Sequence, residues 1–260
     1  MERIDSIPSP GLEVNGEKFK QLPASQFLKR LLVRARSMRD ENRFGLGLYR
    51  SQNTIFIRIP KNATNSICSF LYPGAPESAW PGHASADFCK TVAPDLFETA
   101  LVFATVRNPK DRFISAFNYY KHSSPVPEER RLMDEELSFV ETFDDFLSYL
   151  AQQPVLQQAK IMTWHHFRGQ VDFISDRSGA VLVDLLFPVE DPEPGMSVVR
   201  KHVRLSGGLP RRNSSRGERP ESWPQFLAEH YQADQKLWDL VSGERVLFPT
   251  GKAQDLGLRA

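Results

Sequence analysis

Hydrophobic residues run almost unbroken through Thr54-Ile55-Phe56-Ile57-Arg58-Ile59 and again through Ala100-Leu101-Val102-Phe103-Ala104-Thr105-Val106. A β-branched run without polar alternation is the pattern of a strand covered on both faces, as in a parallel sheet. Prolines close both runs, Pro60 and then Pro109, and a helical pattern follows each, over 64–71 and over 110–122. A further helix is predicted over 26–38, capped by Ser25. Its Phe27, Leu28, Leu31, Leu32 and Ala35 share one face, and Lys29, Arg30, Arg34, Arg36 and Arg39 the other. Helices are also expected over 142–152, opened by Thr142 with Asp144 and Asp145 in the first turn, over 154–167 and over 222–241. Short strands are expected at 47–50, before a Gln52-Asn53 turn, at 171–174 and at 180–187. Strands alternating with helices predict an α/β fold built on a central, mainly parallel sheet flanked by helices. The turn-rich start makes 1–45 an arm with a basic helix, leaving 46–260 as a single domain. Gly207-Gly208, Pro210, Gly217 and Pro220 interrupt any period over 206–221, which is the expected mobile loop.

Composition narrows the function classes. A chain of 260 residues, 40% hydrophobic and 25% charged, suits one well-buried core, or at most two small ones. Its 33 Lys and Arg against 32 Asp and Glu argue against nucleic-acid binding through bulk positive charge. No apolar run approaches the ~20 residues of a membrane span, and residues 1–10 lack the core of a secretory signal, so a cytoplasmic protein is expected. Cys68 and Cys89 cannot by themselves build a disulfide framework or a zinc site, and buried free thiols are expected. The near-neutrality is nevertheless a cancellation. Residues 198–220 hold seven basic residues against Glu218 alone, whereas 128–145 hold eight acidic residues against Arg130 and Arg131.

The chemistry concentrates where the two buried runs turn into helices. In a parallel sheet, helix N-termini beyond the strand ends present unpaired N–H groups to anions. The first turn, Pro60-Lys61-Asn62-Ala63-Thr64-Asn65-Ser66, offers a lysine, small residues, hydroxyls and amides. It is not a Walker loop, because Lys61 opens it and the glycines are missing. Taken alone it reads equally well as a capped helix beside a surface lysine. The second turn is Arg107-Asn108-Pro109-Lys110-Asp111-Arg112-Phe113-Ile114-Ser115-Ala116-Phe117, in which a guanidinium and a hydroxyl eight residues apart suit one oxyanion.

Together and in this order, the two turns resemble the sulfotransferases that use 3′-phosphoadenosine 5′-phosphosulfate (PAPS). Fainter likenesses to the Golgi-type carbohydrate sulfotransferases extend it from 46 to 248, through Gln170-Val171-Asp172, Pro188-Val189-Glu190, Asn213-Ser214-Ser215, Tyr231 and Asp234. The resemblance implies a three-layer fold like that of the P-loop NTPases. It implies sulfuryl transfer from PAPS to an acceptor hydroxyl, with a carbohydrate the expected acceptor and no metal required. Lys61, Asn62, Ala63, Thr64, Asn65 and Ser66 would hold the 5′-phosphosulfate, and Arg107 and Ser115 the 3′-phosphate. Asn65 departs from the family's Thr or Ser, replacing a hydroxyl donor with an amide. Arg211, Arg212 and Asn213 would close over the nucleotide from the basic stretch. Arg58 resembles the arginine of uronosyl sulfotransferases, and Gly82-His83-Ala84-Ser85 their Gly-His-x-Ser segment, in which the histidine is the base. Catalysis is thus expected from Lys61, Arg58 and His83, with Glu77 and Asp87 in reserve. The His165-His166 pair reads at least as well as core or surface packing as it does as a lining of the acceptor groove. The competing class is a non-catalytic protein that keeps the fold and binds a nucleotide or an anionic glycan. A kinase is disfavoured, since no Walker lysine or acidic Mg²⁺ motif accompanies the first turn.

Overall fold

The computed structural model describes residues 12–14, 17–19, 44–210 and 223–252. The predicted helix over 26–38 and the nucleotide-closing residues Arg211, Arg212 and Asn213 lie outside the described residues. Near the start, β1 (Leu12–Val14) and β2 (Glu17–Phe19) pair antiparallel. The principal sheet is parallel, with β3 (Thr54–Ile57), β4 (Leu101–Val106) and β5 (Leu185–Pro188) side by side in that order. All three strands are buried throughout, as their unbroken apolar runs require. Phe56, Phe103 and Phe187 stack across one face, with ring centroids 4.8 and 5.9 Å apart. Gly195 admits a helix to this face, because a Cβ there would lie 2.0 Å from the Phe187 ring. The architecture is α/β, with a parallel sheet and many helices.

Helices connect the strands. They are α1 (Leu46–Gln52), α2 (Thr64–Leu71), α3 (Ala86–Val92), α4 (Pro94–Thr99), α5 (Pro109–Asn118), α6 (Pro127–Leu137), α7 (Phe143–Gln152), α8 (Val155–Met162), α9 (Val171–Ile174), α10 (Glu193–Val203), α11 (Gln225–His230) and α12 (Gln232–Glu244). Several expectations change here. Residues 47–50 are helical: Gly45 and Asn53, both in the left-handed region, bracket α1, and Leu46 and Tyr49 face inward at helical spacing. The Tyr49 hydroxyl donates to the Phe56 carbonyl at 2.8 Å, tying α1 to β3. The strand expected at 171–174 is the single turn α9, because the Asp234 carboxylate accepts from the N–H groups of Gln170 and Val171 at 2.7 and 3.1 Å. Of the run expected over 180–187, only the end from Leu185 joins the sheet, as the start of Leu185–Pro188. The helix expected over 222–241 breaks at Tyr231 into α11 and α12. The helix after Arg107 is α-helical only to Asn118 and continues as a π-helical turn, Tyr119–Ser123.

Two hydrophobic clusters result among the described residues. One surrounds the sheet. The other is helical and centres on Phe113, Phe117, Phe146, Phe167 and Tyr231. Arg112 is 1% exposed where they adjoin. It donates to the His166 and Arg168 carbonyls and faces Asp234 at 3.7 Å. Cys68 and Cys89 are buried free thiols, as expected.

Candidate active site

The carboxyl ends of β3 and β4 lie side by side, so the two anion-friendly turns are neighbours by construction. The first turn carries unusual backbone, with φ of 69° at Lys61 and 55° at Ala63. Left-handed conformations at these two non-glycine positions curl the chain ahead of α2. The N-cap of that helix, Ala63, has no side chain that could cap it, and the first N–H groups of a helix are the ones an anion meets.

Asn62 pins the curl. Wholly buried, its Nδ2 donates to the Thr105 carbonyl and to Gln170 Oε1, both at 2.7 Å, while Thr105 Oγ1 donates to the Asn62 carbonyl at 2.9 Å. Gln170 then grips the second turn. Its Oε1 accepts from the Arg107 N–H at 2.9 Å, and its Nε2 donates to the Arg107 carbonyl at 2.8 Å. Arg107 Nη1 closes the circuit by donating to the Lys61 carbonyl at 3.0 Å. Sequence reasoning placed Asn62 among anion ligands, but its side chain is a buried fastener between the turns. Gln170 was legible only as part of a family likeness, because its partners are distant in the chain.

The other expected residues are placed as follows. Thr64 and Ser66 are buried in the first turn of α2, and Asn65 is half-buried beside them. Asn65 Oδ1 accepts from Arg58 Nη2 at 3.2 Å, which leaves its amide nitrogen as the donor. Arg58 also donates to the Pro81 carbonyl, so it braces the His83 segment against β3. Ser115 is buried in the second turn of α5, which Asn108 caps by accepting from the N–H groups of Lys110 and Asp111 at 3.0 and 3.4 Å. Arg112, the second arginine of the motif, is turned into the protein interior as described above.

His83 donates through Nδ1 to the Arg58 carbonyl at 2.6 Å, an arrangement that leaves Nε2 as the basic nitrogen. Burial first, and then the Arg58 guanidinium, push its pKa down to about 3. The His165 and His166 rings lie 5.3 and 6.0 Å from it. Lys61 Nζ sits 4.4 Å from the centre of the Tyr119 ring. Burial and then Arg107 bring its ammonium down to about 8, against the pull of Glu129. Tyr119 and Glu129 were not foreseen. Glu129 belongs to the acidic run whose purpose the sequence left open, and nothing local distinguishes it from its neighbours.

A family model described as the sulfotransferase family matches residues 24–235. The chain belongs to the sulfotransferase family. The match begins earlier than the motif likeness, within the first 45 residues, and ends before 248. No curated protein and no solved structure matches the chain. Membership makes the protein a sulfuryl-transfer enzyme in class. Among the described residues, no helix of this sulfotransferase is long and apolar enough to cross a membrane, and no cluster of His, Cys, Asp and Glu suits a metal ion.

Proposed function

We propose that this sulfotransferase moves the sulfuryl group of PAPS to a hydroxyl of an acceptor, a carbohydrate being the expected class. The observation that carries the reading is the pinned pair of turns. Asn62 and Gln170 hold the Lys61 curl and Arg107 against each other at the carboxyl edge of the sheet. An uncapped helix start behind a left-handed curl suits the 5′-phosphosulfate, and a guanidinium one turn away suits the 3′-phosphate. The basic loop containing Arg211, Arg212 and Asn213 would close over the nucleotide.

Within this reading, Lys61 stabilises charge on the oxygen that departs with the nucleotide as the sulfur–oxygen bond breaks. Arg58 keeps Asn65 and the His83 segment in place. The acceptor oxygen bonds to sulfur while its proton passes to His83 Nε2. The charge of an anionic donor beside His83 would raise its basicity. The carbohydrate assignment rests on the likeness of the C-terminal half to the Golgi-type enzymes.

Binding of adenosine 3′,5′-bisphosphate (PAP) tests the donor assignment. Affinity should fall in both Lys61→Ala and Arg107→Ala, and unchanged affinity in both would overturn it. Labelled PAPS offered with glycans, lipids and phenols tests transfer. Loss of turnover with PAP binding intact in His83→Ala supports catalysis. A wild type that binds PAP but never transfers sulfate to any of them supports the non-catalytic alternative.

A further inference from the structure

Beside Lys61 lies a carboxylate–imidazole pair to which no role has been given. Glu129, on α6, places Oε1 3.5 Å from His166 Nε2, and its Oε2 accepts from the Ser124 hydroxyl at 2.5 Å. The His166 backbone is clamped from both sides. Its N–H donates to the Tyr120 hydroxyl at 3.1 Å, and its carbonyl accepts from Arg112 Nη1 at 3.0 Å. The imidazole lies on the Tyr119 ring, with centroids 4.3 Å apart, and Lys61 Nζ approaches the same ring. Its other nitrogen, Nδ1, is buried and has no hydrogen-bond partner among the described residues. A buried nitrogen left bare in a fixed ring is costly unless a proton or a substrate group visits it.

We infer that Glu129 is a positioning residue that holds His166 with Nε2–H toward the carboxylate and Nδ1 bare, making His166 the terminal proton acceptor of the site. The inference rests on the sulfuryl-transfer reading above and adds where the proton goes. His83 is poorly suited to keep a proton, with the Arg58 guanidinium beside it. His166 has a carboxylate to offset the charge. As the acceptor oxygen bonds to sulfur, its proton moves to His83 Nε2 and then to His166 Nδ1. His83 returns to its neutral form, and imidazolium forms beside Glu129. The 6.0 Å between ring centres is a spacing that one hydroxyl or water can bridge. The proton leaves His166 for solvent after turnover.

The charged and titratable groups around His166 give the sign of the pH effect. Burial first, with Lys61 and Arg112, holds its pKa below the usual imidazole value against the upward pull of Glu129. His83, His165, Tyr119 and Tyr120 complete the ring of neighbours. Glu129 itself stays ionised. Burial opposes this, but His166 and the Ser124 hydroxyl hold its carboxyl at about 2. Removing its charge in Glu129→Gln should therefore weaken His166 as a base and move its titration to lower pH.

The experiment uses the full chain, with imidazole nitrogen NMR across pH alongside release of labelled sulfate from PAPS to water and to any acceptor the screen identifies. Expected are an Nε2–H tautomer at His166 in the wild type and a lower titration midpoint in Glu129→Gln. That variant should lose turnover about tenfold or more, with the acid limb of kcat/KM shifted the same way and PAP affinity not weakened. Glu129→Asp should recover part of the rate. An Nδ1–H tautomer, a midpoint unmoved by Glu129→Gln, or wild-type turnover with an unchanged profile in that variant overturns the dyad alone. A wild type that neither binds PAP nor consumes PAPS overturns the underlying reading, and this one with it.

Discussion

Lys61 carries three burdens at once: a left-handed backbone, partial burial, and a positive charge beside the positive charge of Arg107. Burial and Arg107 hold its ammonium at about 8, so PAP should bind with constant affinity from about pH 7, where its phosphates are ionised, up to about 8, and more weakly above it. The sign follows from linkage. Above pH 8 the free site has lost a proton that the polyanion must recover, so binding takes up a proton there. Isothermal titration in buffers of different ionisation enthalpy would measure that uptake, and a pH-independent affinity from 7 to about 9.5 would remove Lys61 from the site. Lys61→Ala should weaken PAP at least about tenfold, the worth of one charge-assisted contact. The turns that carry Lys61, Arg107 and Ser115 were legible because their setting is local: a strand end, a proline, and a helix start within a dozen positions. Glu129 and Gln170 were not. Each acts through side chains brought near only by folding, and Glu129 sits in an acidic run that reads as solvated surface.

At the scale of elements, the two buried strands and the helices behind them were legible because an unbroken β-branched run has few other readings. The failures fall on the shortest pieces. A seven-residue helix such as α1 shows little of its period, and α9 exists because a carboxylate from α12 caps it. Capping also yields a test. Asn108→Ala removes the acceptor for two N–H groups of α5 and should cost about 1 kcal/mol in urea unfolding. An unchanged midpoint would show that Pro109 alone sets the start of the helix. Gly195 makes a stronger demand. Gly195→Ala would drive a methyl into the Phe187 ring and displace α10, costing about 1–3 kcal/mol by chemical denaturation. A loss below a few tenths of that would mean that α10 approaches the sheet less closely than described.

For the whole molecule, the junction of the two clusters decides stability. Arg112 and Asp234, both 1% exposed, face each other there, and Asp234 also holds the start of α9. Asp234→Ala leaves a buried guanidinium uncompensated and should cost about 3–5 kcal/mol. Unfolding monitored separately by tryptophan fluorescence and by circular dichroism would measure it, and a cost under 1 kcal/mol would mean that water reaches the junction. The sequence pointed to an α/β chain with one core or two small ones, but the members of the helical cluster were not legible because its aromatic residues are spread from Phe113 to Tyr231.

The Gln170 amide joins both turns through one rigid group only a few atoms across. Such a joint works as a caliper. On the proposed donor site it would fix a length between two seats for negative charge, so ligands would be sorted by how far apart their charges lie as well as by how many they carry. A nucleotide with a single phosphate would fill one jaw and leave the other open. Gln170→Ala would loosen the gauge, and its signature would be a lost preference for the 3′,5′-bisphosphate over the 5′-monophosphate, even where affinity for the monophosphate is kept.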